Sequence, residues 1–350
     1  MNDQIITERV HARIGLLGNP SDSYYGKTIS LSLANFFAEV TLKPSDSIRF
    51  VPHLLHDGGT YSSWDLFVSR VNGEGYGGGV KLLKAMCKIF FADCKQRGLE
   101  LPQQHFELSY ETNIPRQSGL SGSSAIACAA FNCLLAFYGL RDRIPVADRP
   151  TLVLRAEEEL GITAGLQDRV VQVYGGLVYM DFARESMQRH GHGRYESLEP
   201  ELLPPLWLIY CNSPSDSGKV HSDVRQRWHQ GDRTVHEAMA RFASFAEKGR
   251  SAIEREDELA LALLMNKNFE LRRQVFGDAA LGEANLAMVK CAWSVNAAAK
   301  FTGSGGAIVV LCPEGEPQEA ALRAACERDG FACVPVQVGP QLHRAPSDES

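Results

Sequence analysis

A chain of 350 residues with a net charge of −6 is too long for one ordinary hydrophobic core and predicts two packed domains. Its composition, 44% apolar and 22% charged, is that of a globular protein with no basic footprint for nucleic acid, and no apolar run of about 18 residues is present to span a membrane. The polar start with Asp3 and Glu8 reads as no signal peptide, and nine scattered cysteines without a Cys-x-x-Cys pair predict buried, reduced thiols of a cytoplasmic protein rather than disulfides or a zinc site.

In chain order, Arg13 to Leu17 reads as an apolar strand running into the turn-rich Gly18-Asn19-Pro20-Ser21-Asp22-Ser23. Thr28 to Leu42 reads as strands joined by a turn near Asn35, and apolar spacing predicts a helix over Val80 to Phe91. Phe106, Leu108 and Tyr110 alternate with polar residues, which makes His105 to Thr112 a half-buried strand. A Gly- and Ser-rich loop follows, then a helix of small and apolar residues from Ser123 to Tyr138. Thr151 to Leu160 is a helix with three consecutive glutamates, broken at Gly161 to Gly165; Val170 to Val173 carries the pattern into a strand at Gly176 to Asp181. The loose stretch His190 to Pro205 is the best domain boundary, placed between residues 195 and 196. Beyond it come a strand at Leu206 to Tyr210, long helices between Val235 and Lys300, a strand at Ala307 to Leu311 and a helix from Glu319 to Arg328. Gly339 to Ser350 has little to bury and reads as a disordered tail.

The segment most charged with chemistry is the strand–loop–helix around Pro115-Arg116-Gln117-Ser118-Gly119-Leu120-Ser121-Gly122-Ser123-Ser124. Small residues let backbone N–H groups approach phosphate oxygens, and a helix starting there turns its unpaired N–H groups and positive dipole end to an anion. The plain alternative is a flexible approach to a helix N-cap. No Gly-Lys-Ser/Thr follows, so this is not a P-loop of the Walker type. Gly73-Glu74-Gly75-Tyr76-Gly77-Gly78 formally spells a dinucleotide fingerprint, but no buried strand precedes it and no acidic residue follows on the next strand, so it reads as a flexible loop.

Three separated motifs together resemble the GHMP kinase superfamily: Arg13 to Asp22, the loop Pro115 to Ala125, and Lys300-Phe301-Thr302-Gly303-Ser304-Gly305-Gly306-Ala307, in the family's order. Within it the wording is similar to the glucuronokinase branch, in GLLGNPSDSYYGKTISLSLANF (Gly15 to Phe36), TNIPRQSGLSGSSAI (Thr112 to Ile126), ELGITAGLQDRVVQVYGGLVYMDF (Glu159 to Phe182), NSPSDSGKVHSDVRQRW (Asn212 to Trp228) and KFTGSGGAIVV (Lys300 to Val310). Galactokinase and mevalonate kinase have Glu-His where this chain has Asn19-Pro20, and the phosphate loop here is one residue longer than the common form. Both departures are shared with that branch.

The resemblance implies an α+β fold of two domains, residues 1–195 like domain 2 of ribosomal protein S5 and residues 196–350 ferredoxin-like, with the active site in the cleft between them. It implies transfer of the ATP γ-phosphoryl group to the anomeric hydroxyl of D-glucuronate, with Mg²⁺. Asp168 would be the general base and Arg13 the cation beside it; on spacing alone Asp168 reads as a helix-capping residue, and the flanking match is what favours catalysis. ATP would lie on Pro115, Gln117, Ser118, Gly119, Leu120, Ser121, Gly122, Ser123 and Ser124, closed by Gly303, Ser304 and Gly305. Ser124 and Glu157 are the candidate Mg²⁺ ligands. Asp22 and Tyr24, or Tyr25, are assigned to sugar hydroxyls, and Arg116 or Lys219, ahead of Arg225 and Arg227, to the sugar carboxylate. The rivals are another sugar-1-kinase of the family, acting on galacturonate, arabinose or a neutral hexose, and a silent sugar-and-ATP sensor. The implied partners are small molecules, with no nucleic acid and no membrane.

Overall fold

The structure is a computed structural model that describes residues 4–57, 63, 78–211 and 221–345; Lys219 and most of the Gly73 run lie outside them. The chain divides into two compact units that are not successive halves. One comprises Met1–Ala12, Phe36–Ile114 and Gly122–Val173, the other Arg13–Asn35, Pro115–Ser121 and Tyr174–Ser350. Strands β1 (Ile6–Leu17) and β2 (Lys27–Ser45), which pair with each other, contribute residues to both, whereas the sequence expectation cut the chain once, after residue 195.

In the first unit, β3 (Arg49–Phe50) lies along one edge of β4 (His105–Thr112), and β2 pairs antiparallel with β4's other edge. Val40 faces Tyr110 and Leu42 faces Leu108, so the alternating apolar residues of both strands fall on one buried side. Helices α1 (Val80–Gln96), α2 (Gly122–Phe137) and α3 (Arg149–Glu158) pack on one another. Alanine-rich α2 is cheap to form as a helix and is buried continuously from Ser124 to Phe131, as suits a helix apolar on every side. α1 turns Leu82, Leu83, Met86 and Phe90 inward at helical spacing, and the Phe90 ring meets those of Phe131 and Tyr138 at 6.0 and 5.8 Å. The unit closes with α4 (Gln167–Tyr174). Val170 to Val173 lies in this helix, which buries Val170, Val173 and Tyr174 on one face together with Leu166 just before it, and the strand follows at Leu177 as the sequence indicated. Gly175 and Gly176, at φ 73° and 60°, end that helix in a conformation glycine adopts without strain.

In the second unit, Lys27–Leu31 of β2 pairs antiparallel with β5 (Leu177–Asp181). α5 (Arg184–His190) leads to β6 (Arg194–Leu198), which pairs with β5. The stretch read as a loose boundary thus contains a strand with Tyr195 and Leu198 buried. A second sheet follows: β7 (Leu206–Tyr210), helices α6 (His221–His229), α7 (Arg233–Glu254), α8 (Glu258–Phe276), α9 (Asp278–Leu281) and α10 (Glu283–Trp293), strands β8 (Ala298–Phe301) and β9 (Ala307–Leu311), α11 (Glu316–Asp329) and β10 (Ala332–Pro335). Its strand order β10-β7-β9-β8, antiparallel throughout, is the ferredoxin-like arrangement expected for this half. Its core joins Trp207 and Ile209 of β7 to Phe269, Met288, Phe301 and Leu322. Asp232 and Asp257 fix the starts of α7 and α8 by accepting backbone N–H bonds from Thr234 and Ala260.

Two more expectations are overturned here. No turn interrupts β2 at Asn35; its amide instead bonds the Pro335 carbonyl at 3.0 Å and the Gln337 N–H at 2.9 Å, standing in for a neighbouring strand's backbone. Residues 339–345 of the tail are bonded into the fold, and residues 346–350 lie outside the described ones. Gly339 N–H donates to Ser32 at 2.9 Å, Leu342 N–H to Tyr174 at 2.7 Å, and Ala345 is 4% exposed. Its backbone groups find partners on sheet edges, which composition does not reveal. The nine cysteines are free thiols, seven of them buried, as read from the sequence.

Candidate active site

Each unit gathers its own set of functional side chains. In the second, the loop Pro115–Ser121 holds Gln117, Gly119 and Ser121 at φ 54°, 64° and 63°. Left-handed residues at alternate positions turn successive N–H groups to one side, a concavity that takes anions. For Gln117 and Ser121 this conformation costs about 1 kcal/mol or more each, strain of the kind that persists where neighbours fix it. The Ser118 hydroxyl closes the loop on the Pro115 carbonyl at 2.7 Å.

The neighbour that fixes it is the turn between β8 and β9. A Cβ on Gly119 would stand 2.3 Å from the Gly305 oxygen, one on Gly306 2.3 Å from the Gln117 oxygen, and one on Gly303 2.5 Å from the Gly119 oxygen. Backbone lies directly on backbone, so both loops require glycine. Asn285 holds the turn from below, accepting the Gly306 N–H at 2.7 Å and donating to the Leu281 carbonyl at 2.7 Å. Arg13, 4% exposed, donates from Nη1 to the Gly119 carbonyl at 2.6 Å, and the Thr302 hydroxyl reaches the same oxygen at 3.3 Å. Beside them Lys300 is buried, its Nζ donating at 2.6 Å to the carbonyls of both Gly15 and Phe301. Burial, then the nearby charges of Arg272 and Arg13, holds the Lys300 pKa well below the usual lysine range.

Asp22 and Tyr24, both 8% exposed, sit in a 3₁₀ turn over Ser21–Tyr24. Tyr24 packs against Trp228 with ring centres 5.0 Å apart, and its phenol pKa is raised by burial, with Arg225 opposing and Asp22 adding. Tyr25 points elsewhere: it is exposed, under the Arg184 guanidinium at 4.6 Å. Among the candidates for a carboxylate, Arg116 is half-buried in the loop and Arg225 is exposed. Arg227 is engaged by Asp232 at 2.8 Å.

In the first unit, α2 begins at Gly122 and presents the N–H groups of Gly122, Ser123 and Ser124 at its start. The Ser123 hydroxyl donates to Glu157 Oε1 at 2.7 Å; Ser124, the serine expected to share a cation with Glu157, is fully buried one residue further on. Glu157 Oε2 takes two bonds from Arg169, the Nε one at 2.7 Å, in a pair shut off from solvent. Arg169 also reaches Asp168 Oδ2 at 3.4 Å and donates to the Gly165 carbonyl at 2.8 Å. Asp168 lies in the first turn of α4 with its side chain 15% exposed, beside the positive end of the helix and the Arg169 guanidinium. Arg169, Thr302, Asn285 and Lys300 had no role in the sequence reading. Thr302 and Lys300 stand inside a recognised motif, whereas nothing in the sequence pattern marks Arg169 or Asn285.

The chain matches the family model for the GHMP kinases N terminal domain over residues 81–176 and that for GHMP kinases C terminal over residues 250–329. It is 55% identical to glucuronokinase 1 of Arabidopsis thaliana over 335 residues, which is 96% of this chain and 92% of that protein. With probable glucuronokinase 2 of the same plant the identity is 53% over 337 residues, again 96% and 92%. The crystal structure of Lactococcus lactis galactokinase complexed with galactose has the same fold, with a TM-score of 0.71 at 15% identity over 97% of this chain and 94% of that one. Relatives this similar along nearly the whole length, with both domain models matched, place the chain: it belongs to the GHMP kinase family.

Proposed function

We propose that this chain is an ATP-dependent sugar-1-kinase that converts D-glucuronate to D-glucuronate 1-phosphate, a product that would feed UDP-glucuronate synthesis. The observation that carries the phosphoryl-transfer reading is the Pro115–Ser121 loop, with three left-handed residues seated against Gly303 and Gly306. The choice of glucuronate is supported by the two plant glucuronokinases.

In this reading the N–H groups of the loop and of the start of α2 hold the phosphates, with Ser121 and Ser304 adding hydroxyls and Ser118 fixing the loop. Asp168 accepts the proton of the anomeric hydroxyl. The freed oxygen bonds to the γ-phosphorus as the bond from that phosphorus to the β–γ bridging oxygen breaks, and ADP leaves with the electron pair. Arg13 opposes the negative charge that spreads over the transferring group. Asp22 and Tyr24 receive sugar hydroxyls. The residues present suit Mg²⁺: the Ser123 hydroxyl and Glu157 Oε1 are hard oxygen donors 2.7 Å apart, and Ser123 or Ser124 with Glu157 would hold the ion, water and phosphate oxygens completing its shell. When bound, the cation neutralises phosphate charge.

Purified protein with Mg-ATP and a panel of D-glucuronate, D-galacturonate, L-arabinose and D-glucose tests this. ADP and sugar 1-phosphate should form fastest with D-glucuronate. A neutral sugar preferred over it would remove the substrate assignment, and no ADP with any sugar would leave only a silent sugar-and-ATP binder.

A further inference from the structure

Arg272, on α8, is 2% exposed, and its Nε and Nη2 have no hydrogen-bond partner among the described residues. These two nitrogens form one edge of the guanidinium, the pair of parallel donors that fits a carboxylate side-on. Among the described residues, the charges that act on it are also cations: burial, and then Arg13, pull the Arg272 pKa down to about 10, while Lys300 is lowered by burial and then by Arg272 and Arg13. The rings of Phe276 and Phe301, 5.1 and 5.5 Å from the guanidinium carbon, supply no acceptor. An arginine buried without a counter-charge is strongly destabilising unless something else repays it.

The same face of α8 carries Asn268, one helical turn earlier. Its side chain accepts the Gly18 N–H at 2.8 Å and donates to the Asn19 carbonyl at 3.3 Å, which fixes Gly18-Asn19 over this face. Asn19 is itself 2% exposed, with its side-chain oxygen unpartnered among the described residues. One face of α8 thus carries an orphaned pair of parallel donors on Arg272 and, through Asn268, holds the backbone of a residue with an orphaned acceptor. A sugar acid offers the complement of both, a planar carboxylate and neighbouring hydroxyl donors.

We propose that Arg272 is the residue that binds the substrate carboxylate, through Nε–H and Nη2–H, with the Asn19 side chain accepting from an adjacent sugar hydroxyl. This rests on the uronate-kinase reading above and gives it a receptor other than Arg116 or Lys219. Because Arg272 is shut off from solvent, the carboxylate enters through a local opening and turns an unpaired buried cation into a paired one.

Calorimetry of the full chain with D-glucuronate, D-glucose and ATP, each titrated alone, tests the site separately from catalysis. Wild type should bind glucuronate well ahead of glucose. Arg272→Met should weaken glucuronate roughly ten- to a hundredfold, leave glucose and ATP within about twofold, and melt no lower than wild type. Arg272→Lys, which keeps charge without the fork, should recover only part of the preference. Glucuronate affinity unchanged in Arg272→Met overturns the assignment, as does an equal loss for ATP, which would make the arginine a phosphate or packing residue. Should Arg272→Met fail to fold, Arg272→Lys decides: full wild-type preference there overturns the proposal. Wild type that binds glucuronate yet releases no ADP would sink the kinase reading and leave this site standing; wild type that binds none sinks both.

Discussion

Asp168 shows how one side chain can satisfy two descriptions. It stands in the first turn of α4, where a carboxylate is favoured whatever its chemistry, and it has Arg169 at 3.4 Å. An amide in its place keeps the shape and loses the proton acceptor. Asp168→Asn should therefore lower kcat by roughly 100-fold or more with stability within about 0.5 kcal/mol. ATP binding, followed by calorimetry, should be unchanged; near-normal turnover would remove Asp168 from the base role. The residues around it were less legible. Arg169 follows Asp168 directly, yet its partner Glu157 belongs to a run of three glutamates that sequence alone reads as a solvated face. Burial singles out Glu157, at 0% exposure, and burial is a property of the packed unit.

Among the elements, those with a single clear period were readable: the alternating β4, the apolar stripe of α1 and the small-residue helix α2. The unbroken course of β2 was not, because Asn35 suits a turn as well as a strand, and only its bonds to Pro335 and Gln337 show what it does there. The glycine loops belong to this scale too. Gly306→Ala forces a Cβ to 2.3 Å from the Gln117 oxygen at φ 88°, which pushes the two loops apart. KM for ATP should rise at least about tenfold, since a displacement near 1 Å at a positioned phosphate is costly. Gly315→Ala is the control: it is also left-handed, at φ 75°, but meets open space, so it should cost about 1 kcal/mol of stability and leave KM for ATP alone. Equal effects from the two variants would mean that loop contact does not shape the nucleotide site.

For the whole molecule, the last residues act as part of the sheets. Bonds from Gly339 to Ser32, from Ala34 to Gln337 and from Leu342 to Tyr174 tie the end of the chain to β2 and to the end of α4. A chain ending at Val336 should lose several of these bonds, each contributing about 1 kcal/mol net, and leave backbone groups of both neighbours unpaired. Its thermal midpoint should fall by several degrees or it should express poorly; an unchanged melt would show the tail to be an ornament on an independently stable fold. The amino-acid sequence determined the family and the main loops and helices, since motifs, turn glycines and helix periods are local patterns that a few consecutive residues specify. Tertiary structure decided the partnerships: Ser123 with Glu157, Asn285 under the glycine turn, and Asn268 on the backbone of Gly18 and Asn19, with Arg272 one turn further on and unpartnered at Nε and Nη2 among the described residues. Those depend on burial and on segments up to hundreds of residues apart meeting, and the energy of a polar group turns on its surroundings after folding rather than on its neighbours in the chain.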